Sequence, residues 1–388
     1  MKQFIGYLAL TLAPLLVIPV AGCGGRDRAA LVARGTARLE AGDYAAAARA
    51  FKRASRLIHD SAPLSYNLGT ACFHLDNLDA AEEAFEAARR IDPGHLAAAE
   101  MLARTWSRQG RHAEAIGLLL PLSSGAAHED RPRLLNALAL VEQRTNRIDL
   151  AVLHLIQATR LAPRYAPSYY NLGCLLADAY QLYAEATDPF ELFTRLADDD
   201  DPRLARARER LLQLKAAAAG GADASQDRPA RPAAAVQQAI REGDQHYKSR
   251  KWGPAEAAFA RALTADPLNF DAALRLGHAR LGGGNPAAAV KAYQRAGELA
   301  PSQVEPVYLQ ALAAYTAGNL DQAAQILTSL AIPRWPAHAP HYQLMAYVRA
   351  AQRRIDEAMI YGRYYLELMP GTDRGLDPFR AWLDALAN

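Results

Sequence analysis

A spacing of 34 residues runs through this chain and constrains its fold more than any other feature. Gly35 and Gly69 are 34 residues apart, as are Phe51 and Phe85, and Ala54 and Ala88. Further on, Gly243 pairs with Gly277, Phe259 with Tyr293, and Pro267 with Pro301 at the same interval. A repeat of this length is one supersecondary unit, and a single copy cannot bury its own apolar face. Stacked copies can, so the pattern predicts an all-α array of helix pairs. Pro63, Pro167 and Pro340 fall near helix starts, where the missing N–H costs nothing. Pro93, Pro163, Pro267, Pro301 and Pro370 fall after helix ends.

The clearest copy reads Tyr66-Asn67-Leu68-Gly69, then Ala81, Phe85, Ala88 and Asp92-Pro93. Period and residues together resemble the tetratricopeptide repeat (TPR), which implies an all-α helix-turn-helix solenoid. Small residues in each first helix (Gly35, Gly69, Ala103, Ala139, Gly173) are expected to admit the second helix closely. Their expected partners are the alanines Ala47, Ala81, Ala115 and Ala151. Phe51, Phe85, Leu119 and Leu155 are expected to fill the space against the next repeat. Nine copies are expected, at about 28–61, 62–95, 96–129, 132–165, 166–199, 236–269, 270–303, 304–337 and 339–372. In the fifth, Tyr180-Gln181-Leu182-Tyr183 stands where a turn glycine belongs. Its first helix is therefore expected to run to about Ala186, with Asp188-Pro189 opening another that carries Phe190 and Phe193.

These readings divide the chain into an N-terminal array (28–215), a flexible linker (216–235) and a C-terminal array (236–388). The first array is expected to end in a capping helix up to about Lys215, with Leu204, Leu211 and Leu212 on its apolar side. The second is expected to end in a capping helix from Asp377-Pro378, carrying Phe379, Trp382, Leu383 and Leu386. The linker has the Gly, Pro, Asp and Ser content of a segment without an apolar face.

Residues 1–22 have the anatomy of a signal peptide: Lys2, an apolar run from Phe4 to Val20, then small residues before Cys23. Gly6, Pro14 and Pro19 interrupt the run, which falls short of a bilayer span. Val20-Ala21-Gly22-Cys23 resembles the lipobox of bacterial lipoproteins. That resemblance implies cleavage before Cys23, a diacylglycerol thioether on its sulfur and acylation of the new amino terminus. Several acyl chains anchor stably where one would not. The tether 23–27 reaches roughly 15 Å when extended. Gly24 follows the cysteine where an Asp would signal inner-membrane retention, so the resemblance favours the outer membrane, facing the periplasm.

Little else carries chemistry. The net charge of +3 calls for no nucleic acid. Cys72 and Cys174 lie three repeats apart, roughly 30 Å at about 10 Å per helix layer, and are expected to remain unbridged. His338 and His341 are separated by Ala-Pro and lack a third ligand. His128-Glu129-Asp130 reads as a turn. Asp198 to Asp201 lacks the spacing of a calcium loop and reads as a cap for the next helix, with Pro202 in its first turn. Gly282-Gly283-Gly284 lacks the lysine and serine of a phosphate loop and reads as the turn between two helices. No catalytic residue, metal site or cofactor is expected beyond the lipid at Cys23.

In TPR proteins, recurring positions of the first helix face a concave groove. Carried over, the first array presents Tyr66, Asn67, Phe73, His74, Arg104 and Arg108, followed by Asn136, Arg144, Tyr170 and Asn171. Asn67 and Asn171 remain of the set that clamps chaperone tails, but the lysines are missing, so that activity is not expected. The second array presents Arg241, Tyr247, Arg275, His278, Tyr308, Leu312, Tyr315 and Tyr347, residue types that dominate interfaces. Two functions remain open: a membrane-anchored, non-catalytic scaffold for cell-envelope proteins, or a carrier for an exported polymer such as a polysaccharide or an unfolded outer-membrane protein.

Overall fold

The structure, a computed structural model, describes residues 25–125, 127, 129–219, 233–369 and 376–387. The leader, Cys23, His128 and residues 220–232 lie outside the described residues. The described residues form helices joined by short turns, with no strand among them. The chain divides into two compact units at Ala219/Gly220.

Unit 1 pairs α1 (Gly25–Glu40) with α2 (Tyr44–Ser55), α3 (Ala62–His74) with α4 (Leu78–Ile91), and α5 (Leu96–Arg108) with α6 (His112–Gly125). It continues with α7 (Arg131–Arg144) and α8 (Ile148–Leu161), then α9 (Ala166–Asp178) and α10 (Tyr183–Leu196), closed by α11 (Leu204–Ala219). Unit 2 pairs α12 (Ala233–Lys248) with α13 (Trp252–Ala265) and α14 (Phe270–Gly282) with α15 (Pro286–Leu299). In its next pair, α16 (Val304–Thr316) packs on α17 (Leu320–Ile326), which runs through a π turn at Leu327–Ala331 into α18 (Ile332–Arg334). The last pair is α19 (Ala339–Ala351) and α20 (Ile355–Leu368), capped by α21 (Asp377–Leu386). The π turn absorbs one extra residue, which is why the next first helix begins 35 rather than 34 residues on.

One contact recurs in five of the helix pairs. A Cβ added to Gly69 would lie 2.6 Å from the Phe85 ring, and Gly35, Gly173, Gly243 and Gly277 meet Phe51, Phe190, Phe259 and Tyr293 in the same way. The glycine thus accepts an aromatic ring from the second helix of its own repeat. This corrects the expectation that the glycine meets an alanine of the second helix; the rings also pack against the next repeat as expected, Phe85 clustering with Met101 and Leu102. Where the first helix carries alanine instead, the same register of the second helix holds leucine: Ala103 with Leu119, Ala139 with Leu155, Ala311 with Leu327, all fully buried. A methyl group occupies the space that the wider ring would need. In the last repeat the order inverts: Gly362 lies on the second helix and receives Leu383 from the capping helix.

Each turn between paired helices needs one residue with positive φ. Gly42, Asp76, Gly110, Asn146, Gln181, Arg250, Gly284, Gly318 and Arg353 supply it in succession. Gln181 doing so explains a second correction: α9 stops at Asp178, and α10 runs from Tyr183 straight through Pro189. The fifth repeat is therefore a regular pair with a proline in its second helix. Two further expectations change. The capping helix α11 extends four residues into 216–235, to Ala219, while α12 reaches back to Ala233. Its buried face is Leu204, Ala207 and Leu214, and Leu212 stands 71% exposed, because the 3.6-residue period turns position 212 away from that face. Pro202 also precedes α11 rather than joining its first turn.

The glycine–ring contact predicts an inverted helix-propensity effect. In a free helix Gly→Ala gains up to about 1 kcal/mol. Gly69→Ala is expected to destabilise unit 1 by about 1–3 kcal/mol through overpacking, measured by urea unfolding. Adding Phe85→Leu should recover part of that loss, so the double variant is less destabilised than the sum of the single ones.

Candidate functional site

First helices of successive repeats touch: α1 with α3, α3 with α5, α5 with α7 and α7 with α9 in unit 1, and α16 with α19 in unit 2. Side chains on this first-helix face are therefore brought together from neighbouring repeats.

In unit 1 the face is organised around Phe73 and Glu100. The guanidinium of Arg108 sits 4.8 Å from the Phe73 ring centroid and that of Arg104 sits 5.4 Å from it, both within cation–π range. Arg108 donates to Asp76 (2.6 Å) and to the Phe73 carbonyl (3.2 Å). Glu100 accepts from Arg133 Nε on α7 and lies 3.6 Å from Arg104 one helical turn along α5. His74 stacks on Tyr44 at 4.3 Å; burial and the charges of Arg104 and Arg108 lower its pKa. Tyr66 and Asn136, expected on the open face, are buried. The Tyr66 ring packs on His95 at 5.1 Å and on Phe85 at 5.8 Å. Asn136 accepts from Asn171 Nδ2 (2.9 Å) and Ser168 Oγ (3.4 Å), joining α7 to α9. These two asparagines are lateral fasteners. Asn67 is half-buried and Arg144 exposed.

At the far end of unit 1, Tyr170 packs on Phe193 (5.0 Å) and Phe190 (5.8 Å) beneath the Arg203 guanidinium (5.4 Å). Burial pushes the Tyr170 phenol up to about 12 and the Cys174 thiol up to about 11. Cys72 and Cys174 are free thiols. Asp201, the end of the acidic run, receives Arg203 through two side-chain bonds and one backbone bond, so that its carboxylate serves the α11 start.

In unit 2 the expected residues form an aromatic face. Tyr247 meets Trp252 edge-on at 5.2 Å, and His278 accepts or donates at 3.0 Å with the Tyr293 hydroxyl. Arg275 pairs with Asp244 at 2.5 Å, and Arg241 is exposed. Tyr308 is half-buried, 5.8 Å from His338 and 6.0 Å from His341. Tyr347 packs on Trp382 at 4.5 Å and Phe379 at 5.6 Å of the capping helix. Tyr315 and Leu312 are half-buried on α16. The His338 and His341 rings stand 4.2 Å apart. His341 is fully buried, neither of its ring nitrogens has a hydrogen-bond partner, and burial drives its pKa down to about 3.

Sequence reasoning passed over Glu100, Arg133 and Tyr165. Glu100 and Arg133 were within reach of the register that selected Arg104 and Arg108, since the same groove-facing positions of the repeat fall on them. Two buried acid–base pairs, Glu142–His154 (2.7 Å) and Arg349–Glu357 (3.0 Å), join the helices within single repeats. Among the described residues no group of three or more metal-binding side chains converges, and no helix is long and apolar enough to cross a membrane.

The tetratricopeptide repeat family model matches residues 32–95, 240–304 and 274–339. The chain carries tetratricopeptide repeats, and its helix pairs form a solenoid of that type. Protein FlbA of Caulobacter vibrioides is 26% identical over 152 residues, covering 39% of this chain and 25% of FlbA. The chain thus spans about a quarter of that relative's length. Among solved structures, the crystal structure of MamA is similar at a TM-score of 0.34 and 20% identity, over 39% of this chain and 86% of that one. The APC/C hetero-tetramer Cut9–Hcn1 is similar at a TM-score of 0.36 and 13% identity, over 92% of this chain and 83% of that one.

The histidines generate a pH dependence. Between about pH 3 and the ordinary value near 6.5, the unfolded chain binds a proton at His341 that the folded chain refuses. Stability from this group is complete above about 6.5 and lost as pH falls, by about 2 kcal/mol at pH 5. His74, His95, His278 and His338 shift in the same direction. His341→Leu is expected to flatten the loss of stability between pH 7 and 5 in unfolding titrations, without weakening the fold at pH 7.

Proposed function

We propose that this chain is a lipid-anchored, non-catalytic scaffold of the bacterial cell envelope that holds protein partners on its first-helix faces. TPR proteins in general bind other proteins, and the lipobox-like Val20-Ala21-Gly22-Cys23 motif supplies the anchor in this reading. The observation that carries it is the set of half-exposed aromatic side chains on α16 and α19: Tyr308, Tyr315 and Tyr347. The ring of Tyr308 is already seated against the paired histidines and that of Tyr347 against Trp382 and Phe379. Pre-ordered aromatic side chains lose little conformational entropy on binding, which is what an interface anchor needs. The lipid would hold both units near the periplasmic surface of the outer membrane.

The same aromatic face favours a second reading, a carrier for an exported polymer, because tyrosine and tryptophan rings stack on sugar rings as well as on peptide side chains. An unfolded outer-membrane protein would use the face as a peptide does.

Cross-linking in native cells separates the readings. Full-length protein is expected to retain protein partners, and a Tyr308→Ala, Tyr347→Ala variant to lose at least one. Partners unchanged in the variant would move the site to unit 1. Absence of any protein partner, with glycan recovered in its place, would replace the scaffold by the carrier.

The anchor is tested independently. Cys23→Ser is expected to shift the protein from the membrane to the soluble fraction and to abolish labelling by radioactive palmitate. A variant still membrane-bound and labelled would overturn the anchor.

A further inference from the structure

Arg104 is a mostly buried arginine of unit 1 with little of its donor fork committed. Its side chain is only 13% exposed, and its hydrogen-bond inventory among the described residues is empty. The nearest carboxylate oxygen, Glu100 Oε1, is 3.6 Å away, beyond hydrogen-bond range. The other oxygen of Glu100 is taken by Arg133 Nε. Arg108, on the same Phe73 ring, is by contrast committed to Asp76 and to the Phe73 carbonyl. A guanidinium carries five donors in a fixed fork, and a mostly desolvated one calls for an acceptor.

The surroundings define that acceptor. Glu100 serves two guanidinium groups, Arg104 and Arg133, leaving one positive charge in surplus. Tyr165 feels both of these arginines and Glu100, and burial pushes its phenol up to about 12, so it stays a neutral hydroxyl donor. A surplus of one charge with a planar donor fork matches a carboxylate; a phosphate dianion would leave the excess on the other side. Partly exposed polar side chains continue along the first-helix face in both directions, through His74 on α3 and through Asn171 on α9. A chain can therefore pass through the point as well as end on it.

We infer that Arg104, with Arg133 beside it, is the docking point for an acidic side chain of an extended partner polypeptide lying along the first-helix face of unit 1. The inference rests on the reading of the chain as a protein scaffold and names the chemistry that unit 1 selects. Glu100 acts as an internal competitor, which holds the two arginines apart from solvent until the partner's carboxylate arrives. This site is separate from the tyrosine face of unit 2.

The test is fluorescence anisotropy on the detergent-solubilised full-length protein, with a labelled, C-terminally amidated twelve-residue peptide of alternating Glu and Ala. Binding is expected, weakened at least tenfold by Arg104→Gln and at least tenfold when every Glu of the peptide becomes Gln. Arg104→Lys should keep an intermediate affinity, and thermal unfolding is followed for each variant to show that it is folded. Glu100→Gln should tighten binding about threefold, a gain that a purely structural role for the pair does not produce. Arg53→Gln, exposed on the second helix α2, should leave binding within twofold. Equal affinity for the Glu and Gln peptides, or an unaltered affinity in a folded Arg104→Gln variant, overturns the inference. Binding only when the peptide has a free C-terminus and not an amide overturns the side-chain source in favour of a chain end. Competition by millimolar inorganic phosphate as effective as by the peptide overturns the carboxylate. In native-cell cross-linking, partners that persist in Arg104→Gln while Tyr308→Ala, Tyr347→Ala removes them sink this site and leave the scaffold standing.

Discussion

A ring laid against a glycine is the contact on which the rest of this structure depends. In five of the repeats a phenyl or phenol from the second helix lies where a Cβ of the first would be. That lets two helices approach more closely than side chains on both would allow, and it sets their separation through a rigid group. Because a flat ring leaves little rotational freedom, the geometry repeats, and the next repeat meets an identical platform. Alanine with leucine reproduces the contact at Ala103–Leu119, Ala139–Leu155 and Ala311–Leu327 with narrower parts. Stability in such an array is a sum over repeats and their interfaces, so the substitution of one pair for another changes local spacing without changing the fold.

This economy determines where function has room. The residues at the glycine, the ring and the two alanines are committed to packing, and the turn residue is committed to positive φ. What varies freely from copy to copy is the outward side of the first helix. There unit 1 has collected arginines around Glu100 and Phe73, while unit 2 has collected tyrosines and histidines. Charge sharing in unit 1 is incomplete, since Glu100 divides between Arg104 and Arg133. A shared carboxylate stabilises neither arginine fully, yet keeps both folded inward, which is the state from which a partner can take one over.

The helical repeat was legible in the sequence because its signals are one-dimensional: a fixed period, small residues at fixed register, prolines at ends. Nearly all helix boundaries follow from those. The fifth repeat was misread because the turn signal was taken to be glycine, whereas the turn requires a positive φ that Gln181 also adopts, as Arg250 and Arg353 do. The ring–glycine contact was not legible for a related reason. Period locates a residue along the axis but does not say whether its side chain leans into its own repeat or the next. Site residues were partly legible. Register found Arg104 and Arg108, yet Tyr66 and Asn136 occupy equally outward positions and are buried, because His95 and Asn171 from the adjacent repeats close over them. Burial on the first-helix face is a property of two neighbours together, and no single repeat encodes it.

Two histidines at one register show how far the same residue can diverge. His95 and His338 each precede a first helix, α5 and α19. His95 Nδ1 accepts from the Ala98 amide at 3.2 Å and caps the helix. His338 makes no such side-chain bond; His341, three positions on, donates its amide to the His338 carbonyl just as Ala98 does to that of His95, and here the two rings face each other. The nitrogen of His338 that would have capped the helix is left buried without a partner. At this position unit 1 keeps a hydrogen bond together with a ring contact to Tyr66, and unit 2 keeps ring contacts alone. Ring contact tolerates many apolar and aromatic neighbours, whereas a guanidinium that lacks an acceptor tolerates few. On the proposed reading the two faces therefore differ in selectivity as well as in charge: unit 1 would select a particular group, and unit 2 would select shape.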